Sequence, residues 1–184
     1  MYDGLFPSVS VRSDTTPLVT RVTLLAVLAI TAATLGMLRL GYTGPVEPAN
    51  IAPVLWLYTG LFVLRVAGQV LVAIRPQRWL PPMEQWNLVP YPILLPIQLV
   101  FIAVMLWIDM SFTSNAGIAT MASVDVGNFL IAFSTVYAMS MVIRYALRMR
   151  RRPDQRWFGG TIPIVFHIVL ASYLYVLGVF YVST

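Results

Sequence analysis

The segment Ile51–Ile74, IAPVLWLYTGLFVLRVAGQVLVAI, decides the class of this protein. It is apolar almost throughout and longer than the roughly 20 helical residues that cross a bilayer. Four further runs of similar character lie at about 18–40, 91–110, 126–147 and 161–182. Lipid offers the backbone no hydrogen-bond partners, so each run is predicted to be a helix. We therefore expect an all-α integral membrane protein, with residues 1–184 forming a single bundle of five transmembrane helices joined by short loops.

Composition excludes several classes of protein. Of 184 residues, 59% are hydrophobic and only 10% are charged, whereas about a quarter are charged in soluble domains. A soluble enzyme, a disordered protein and a secreted disulfide scaffold are therefore excluded. The chain has no cysteine and one histidine, so we predict no metal centre built from its own thiolates or from several histidines. None of the acidic residues falls in the middle of an apolar run, so we expect no carboxylate relay through the bilayer.

Arginine placement predicts the orientation. With five helices, the segment before the first helix, the second connection and the fourth connection share one face, and the arginines concentrate there. Positively charged loops remain in the cytoplasm, so we predict a cytoplasmic N-terminal leader at 1–17 and an outer C-terminus, in a bacterial cytoplasmic (inner) membrane. The arginines in question are Arg12, Arg21, Arg75, Arg78, Arg148, Arg150, Arg151, Arg152 and Arg156.

Three connections have distinct characters. The connection 76–90 contains Trp79 and Trp86 and is predicted to lie at the membrane interface. The connection between Met110 and Asp125 is rich in Ser, Thr, Ala and Gly and is predicted to be an exposed outer loop. The basic fourth connection is typical of contact with anionic lipid headgroups rather than with nucleic acid. Its headgroup candidates are Arg148, Arg150, Arg151, Arg152 and Arg156.

Arg65 is the most informative single residue in the sequence. It precedes Arg75 by ten positions, or roughly 15 Å along a helix, and a charge at that depth costs at least about 2.5 kcal/mol. Gln69 lies one turn further on the same face. This pair is compatible with a site for a lipid phosphate, a quinone oxygen or a pigment carbonyl. It is equally compatible with a structural arginine that helix carbonyls, glutamine or a partner subunit satisfies.

His167 has two readings. In the first, it binds a ligand, either as an axial ligand to a chlorin or haem or as a hydrogen-bond donor to a quinone. In the second, it is a packing residue bonded to Ser, Tyr or a backbone carbonyl. Glu84 is a surface ion-pair residue unless the protein is an enzyme, in which case His167 and Glu84 are the catalytic candidates. Topology places several polar residues in the same half of the bilayer. We predict that they form one ligand-binding pocket: Arg65, Gln69, Gln98, Arg144 and His167.

These observations favour a non-catalytic subunit or scaffold of a larger membrane complex. Its partners are expected to be other membrane subunits and membrane lipids, and its ligand a lipid, a quinone or a pigment. The alternative is a membrane-embedded enzyme or carrier for an isoprenoid, lipid or quinone. In that case His167 is the general acid or base and Arg65 the electrostatic clamp. A small transporter or channel subunit is a third possibility, which requires oligomerisation because five helices suit a pore poorly.

Overall fold

The structure, a computed structural model, describes residues 17–41, 47–75, 80, 91–121, 123–151 and 161–184. Five helices, all long and apolar enough to cross a membrane, make up almost all of this part of the chain, which contains no strand. The predicted all-α, five-helix class is therefore confirmed. The helices are α1 (Leu18–Gly41), α2 (Pro48–Ile74), α3 (Tyr91–Thr113), α4 (Val124–Arg151) and α5 (Ile162–Ser183), and a 3-10 turn (Gly117–Thr120) precedes α4.

The helix boundaries differ from the predicted ones by a few residues. α2 begins at Pro48 rather than at Ile51, because proline has no N–H to satisfy and its fixed φ suits a first turn. α4 continues to Arg151 instead of ending near residue 147, and arginines in a last turn favour the negative end of the helix dipole. Most of the predicted leader at 1–17 and of the predicted interfacial loop at 76–90 lies outside the described residues.

α5 forms the core of the bundle. Thirteen of its 22 residues are buried, whereas α4 buries only two of its 28, so α5 is surrounded by protein and α4 is peripheral. α5 packs along α4 and also contacts α2 and α1, while α2 packs against α3. Val169, Val176 and Phe180 of α5 are fully buried. α5 therefore supplies the apolar surface on which the other helices assemble.

Two separate contacts between each pair of neighbours show that the helices are antiparallel. Between α1 and α2, the hydroxyl oxygens of Thr34 and Tyr58 lie 2.6 Å apart, while Thr20 and Leu71 line one cleft. Between α2 and α3, Trp56 donates to Thr113 and Gln98 to Gln69. Between α4 and α5, Gly127 lies against Gly178 and Tyr137 against His167. The starts of α1, α3 and α5 thus share one end of the bundle with the ends of α2 and α4. We call it the arginine end and the other the far end. The described arginines at the arginine end are Arg21, Arg75, Arg148, Arg150 and Arg151.

α4 and α5 approach most closely at two glycines. A Cβ atom on Gly178 would lie 2.9 Å from the carbonyl oxygen of Gly127 and 2.8 Å from Cγ1 of Ile131. A Cβ atom on Gly127 would meet the carbonyl oxygen of Gly178 at the same 2.9 Å. Small residues allow helix backbones to come this close in membranes. The two glycines therefore set the distance between α4 and α5 near the far end.

The predicted exposed loop between Met110 and Asp125 is wrong in part. α3 continues to Thr113, and both Phe112 and Ala119 are buried. The Phe112 ring meets the Phe180 ring edge-on, with centroids 4.8 Å apart. The Tyr181 hydroxyl donates a hydrogen bond of 3.0 Å to the carbonyl oxygen of Ile118. The exposed loop was predicted from the Ser, Thr, Ala and Gly content of this segment, whereas its few apolar residues pack it against α5.

Replacing Tyr181 with phenylalanine should loosen the 3-10 turn without unfolding the bundle. The variant loses one neutral hydrogen bond, which contributes about 1 kcal/mol. We expect several-fold faster hydrogen exchange at the amides of Ala119 and Met121, which close this turn, and unchanged exchange in α2. Tyr175→Phe, on the same helix, is the control. Equal exchange in both variants would contradict an anchoring role for Tyr181.

Candidate functional site

Three of the predicted site residues form one hydrogen-bonded network between α2 and α3. Nη1 of Arg65 donates to Oε1 of Gln69 over 3.4 Å, one helical turn away. Nε2 of Gln98 donates to the same oxygen over 2.9 Å. The exposed fractions are 6% for Arg65, 0% for Gln69 and 4% for Gln98. We call these three residues the Arg65 network, and Gln69 is the acceptor that holds it together.

The Arg65 network leaves hydrogen-bonding capacity unused. Cζ of Arg65 lies 5.8 Å from the centre of the Phe166 ring, a distance at which a cation is attracted to the ring face. Nε of Arg65 and Oε1 of Gln98 are buried without a hydrogen-bond partner. Buried polar atoms are rarely left unpaired. The network thus retains one charged donor and one acceptor for a further group.

His167 contacts Tyr137 rather than the Arg65 network. The Tyr137 hydroxyl lies 3.0 Å from Nδ1 of His167, and this hydrogen bond joins α4 to α5. Both side chains are half-buried. Arg144 lies on α4, seven residues after Tyr137. Among the five predicted residues, direct hydrogen bonds therefore join only the three of the Arg65 network.

An apolar cleft of about 320 Å³ lies beside Arg65, between α1, α2 and the start of α5. Thr20 lines the cleft, and its Oγ1 is buried without a hydrogen-bond partner. Sequence reasoning missed Thr20 because nothing in α1 alone shows which face meets Arg65. The other lining residues that matter here are Leu24, Leu64, Leu71 and Phe166. The cleft thus combines an apolar wall with one cation and two hydroxyl groups, that of Thr20 and that of Thr23, which donates to the carbonyl oxygen of Val19.

A second polar cluster lies outside the predicted pocket. Asp109 of α3 is fully buried, with 0% exposed, and the Tyr173 hydroxyl donates to its Oδ1 over 2.9 Å. Thr59 of α2 lies beside both groups. We call Thr59, Asp109 and Tyr173 the Asp109 cluster. Asp109 is four residues from the end of α3 and so is not in the middle of an apolar run, yet its side chain is fully buried, which its place in the sequence did not indicate.

The remaining predicted site residues are placed as follows. Glu84, Arg152 and Arg156 lie outside the described residues, so no contact is assigned to them. Arg148, Arg150 and Arg151 form the last turn of α4, at the arginine end. Within the described part of the chain, no group of three or more His, Asp or Glu residues is arranged to hold a metal ion.

The two clusters differ in what they offer chemically. The Arg65 network presents a positively charged donor beside an apolar cleft, which suits an oxygen acceptor on an apolar molecule. The Asp109 cluster presents a buried carboxyl group and two hydroxyl groups, those of Thr59 and Tyr173. No family model, curated protein or solved structure matches this chain.

Proposed function

We propose that this chain is an integral membrane protein whose arginine end faces the cytoplasm of a bacterial cell. Five helices of spanning length and apolar composition support membrane insertion. Five of the arginines near the ends of the described helices, Arg21, Arg75, Arg148, Arg150 and Arg151, gather at one end of the bundle, whereas Arg39 alone of this group lies near the other. Such clusters remain on the cytoplasmic side during insertion and contact anionic headgroups. The N-terminus is then cytoplasmic and the C-terminus lies outside.

Within the membrane, the proposed role is that of a non-catalytic subunit that holds an apolar ligand with an oxygen acceptor, such as a quinone, a lipid or a pigment. The observation that carries this role is Arg65: a cation 6% exposed, lining an apolar cleft, with Nε unpartnered. Burying a cation in a bilayer costs free energy. A hydrogen bond from Arg65 to an acceptor oxygen in the cleft would offset part of that cost. Oε1 of Gln69 already accepts hydrogen bonds from Arg65 and Gln98, so it does not by itself satisfy all the donors of the arginine.

The proposal of a larger complex rests on α4. This helix buries only Gly127 and Ser134. Phe129 and Phe133 are exposed on it, and their stack continues to Tyr137, which is half-buried against α5. Ring centroids are 6.0 Å apart for Phe129 and Phe133 and 5.9 Å apart for Phe133 and Tyr137. Aromatic rings bury large areas in helix contacts. This face is therefore available to the helices of another membrane subunit or to lipid.

Replacing Arg65 with glutamine should remove the ligand. A hydrogen bond from a charged donor contributes about 1.5–3 kcal/mol, so we expect at least roughly tenfold lower occupancy of the co-purifying quinone, lipid or pigment. The measurement is gentle purification from the native membrane, followed by an absorption spectrum and mass spectrometry of bound molecules and partner proteins. Arg75→Gln is the matched control, because Arg75 is exposed at the end of the same helix.

Two results would contradict this role. Equal ligand content in Arg65→Gln and Arg75→Gln would remove Arg65 from the site. Purification of the chain alone, without stoichiometric partners, would exclude a stable complex subunit and favour a carrier. In either case the membrane topology remains testable separately by labelling the helix ends.

The hydrogen bond between Tyr137 and His167 favours a second candidate, a membrane-embedded enzyme or carrier. A hydroxyl 3.0 Å from an imidazole nitrogen is within proton-transfer distance, and Arg65 lies close enough to act on both groups electrostatically. In this reading His167 is the acid or base and Arg65 the clamp on a carbonyl. Loss of turnover in a folded His167→Ala variant, with ligand still bound, would distinguish an enzyme from a subunit.

A further inference from the structure

The Asp109 cluster lies deep in the bundle although Asp109 is only four residues from the end of α3. Its neighbour Thr59 is eleven residues from the start of α2 at Pro48, or about 16 Å along the helix axis. Its other neighbour, Tyr173, is ten residues from the end of α5 at Ser183, or about 15 Å. Phe112, three residues after Asp109, meets the Phe180 ring near the end of α5. The Asp109 side chain therefore points from the last turns of α3 towards residues in the middle of α2 and α5.

The surroundings of Asp109 leave its charge uncompensated. Tyr173 donates to Oδ1 over 2.9 Å, while Oδ2 of Asp109 and Oγ1 of Thr59 are buried without a hydrogen-bond partner. Tyr173 is thus the side chain that hydrogen-bonds this carboxyl group, and Thr59 lies beside it. An ionised carboxylate in such a place is very costly without a positive companion. Ionisable residues at membrane depth generally mark an ion or proton site.

We propose that Asp109, Thr59 and Tyr173 form a binding site for a small monovalent cation, H⁺ or Na⁺. Oδ2 of Asp109 and Oγ1 of Thr59 are the two free oxygens. A proton would reside on Oδ2, which would then donate to a neighbouring acceptor such as Thr59. A sodium ion would take both oxygens as ligands, since hard cations prefer oxygen.

The site is distinct from the Arg65 network. Arg65 follows Thr59 by six residues on α2, or about 9 Å along the axis. On α5, Tyr173 is the titratable group that contacts Asp109, while the Tyr181 hydroxyl, two turns further on, donates to the carbonyl oxygen of Ile118. The proposal therefore stands whether or not the Arg65 network holds a ligand.

The test uses the full chain in lipid nanodiscs and the variants Asp109→Asn and Asp125→Asn. Asp125 is an exposed acid in the first turn of α4 and serves as the matched control. Infrared spectra across a pH series report the C=O stretch of a protonated carboxyl group. Thermal unfolding in NaCl, against choline chloride at the same ionic strength, reports sodium binding.

A proton site predicts a carboxylic-acid band in the native chain and in Asp125→Asn that is absent from Asp109→Asn. A sodium site predicts that Tm rises by about 5 °C or more when the NaCl concentration reaches about a hundred times the Kd for sodium. That rise should be absent in choline chloride and in Asp109→Asn. If the native chain shows neither the band nor the sodium effect, or if Asp109→Asn retains them, the proposal is overturned.

Asp109→Asn is not the only variant that reports on the site. Thr59→Val removes the second free oxygen, and Tyr173→Phe removes the donor to Oδ1, and both keep the carboxyl group. For a proton site, each should shift the frequency of the acid band. For a sodium site, Thr59→Val should weaken the rise in Tm. An unshifted band together with an unchanged sodium response in both variants would show that the cluster does not act as a unit.

Discussion

Gly178→Ala is expected to destabilise the bundle by about 1–3 kcal/mol, the usual cost of an extra methyl group in a packed interior. The new Cβ atom would lie 2.9 Å from the carbonyl oxygen of Gly127 and 3.0 Å from the backbone nitrogen of Ile131. Backbone atoms cannot rotate away as a side chain does. α4 and α5 must therefore separate, and the large contact between them loosens along its length.

The measurement is the free energy of unfolding in mixed micelles, with Gly60→Ala as the control. Gly60 lies in α2 with nothing within 4 Å of its added Cβ atom, so this change should be neutral or stabilising, because alanine favours helix by roughly 0.5–1 kcal/mol over glycine. Gly127→Ala should resemble Gly178→Ala, and the double variant should cost less than the sum of the two. Equal stability of the Gly178 and Gly60 variants would show that α4 and α5 are not in this contact.

Gln69→Met should be more destabilising than Arg65→Met, although Arg65 carries the charge. Oε1 of Gln69 accepts hydrogen bonds from both Arg65 and Gln98. Removing this oxygen leaves a buried cation and a buried amide donor without their acceptor, which should lower the free energy of unfolding by about 2–4 kcal/mol. Removing Arg65 instead leaves the pair of glutamines intact and takes a charge out of the bundle interior.

The double variant Arg65→Met/Gln69→Met tests the reasoning. It removes the stranded cation, so its stability should recover part of the loss caused by Gln69→Met alone. Unfolding free energies of the two single variants and the double variant, measured without added ligand, form the cycle. If Arg65→Met proves the more destabilising single change, Gln69 is not the acceptor on which the network depends.

The sequence was sufficient to predict the number and type of helices. A long apolar run such as Ile51–Ile74 forms a helix in lipid, because its backbone must satisfy its own hydrogen bonds. The shared helix face of Arg65 and Gln69 also followed from spacing alone, because residues four apart are neighbours on a helix, and their hydrogen bond confirms it. These properties depend on one helix at a time, and sequence spacing is reliable at that level.

Properties that depend on two or more helices were not predictable in the same way. Tyr137 reaches His167 only because α4 and α5 pack antiparallel, and nothing in either segment fixes their rotation. Asp109 appeared to lie at the membrane surface, since it is near the end of its own apolar run. Its burial depends on Thr59 and Tyr173, which lie on other helices. The cleft beside Arg65 is formed partly by α1, so the sequence of α1 alone did not identify Thr20 as a lining residue.

The central position of α5 has a consequence for biogenesis. Because chains are made from the N-terminus, α1 to α4 leave the ribosome before the helix against which they pack. Until α5 arrives, Asp109 lacks the Tyr173 hydroxyl and α4 is surrounded by lipid or by the insertion machinery. The half-built bundle therefore carries an unpaired acid and loosely held helices. The final segment to enter the membrane is the one that completes the core, so a nascent chain stalled before α5 should be a preferred substrate for membrane proteases.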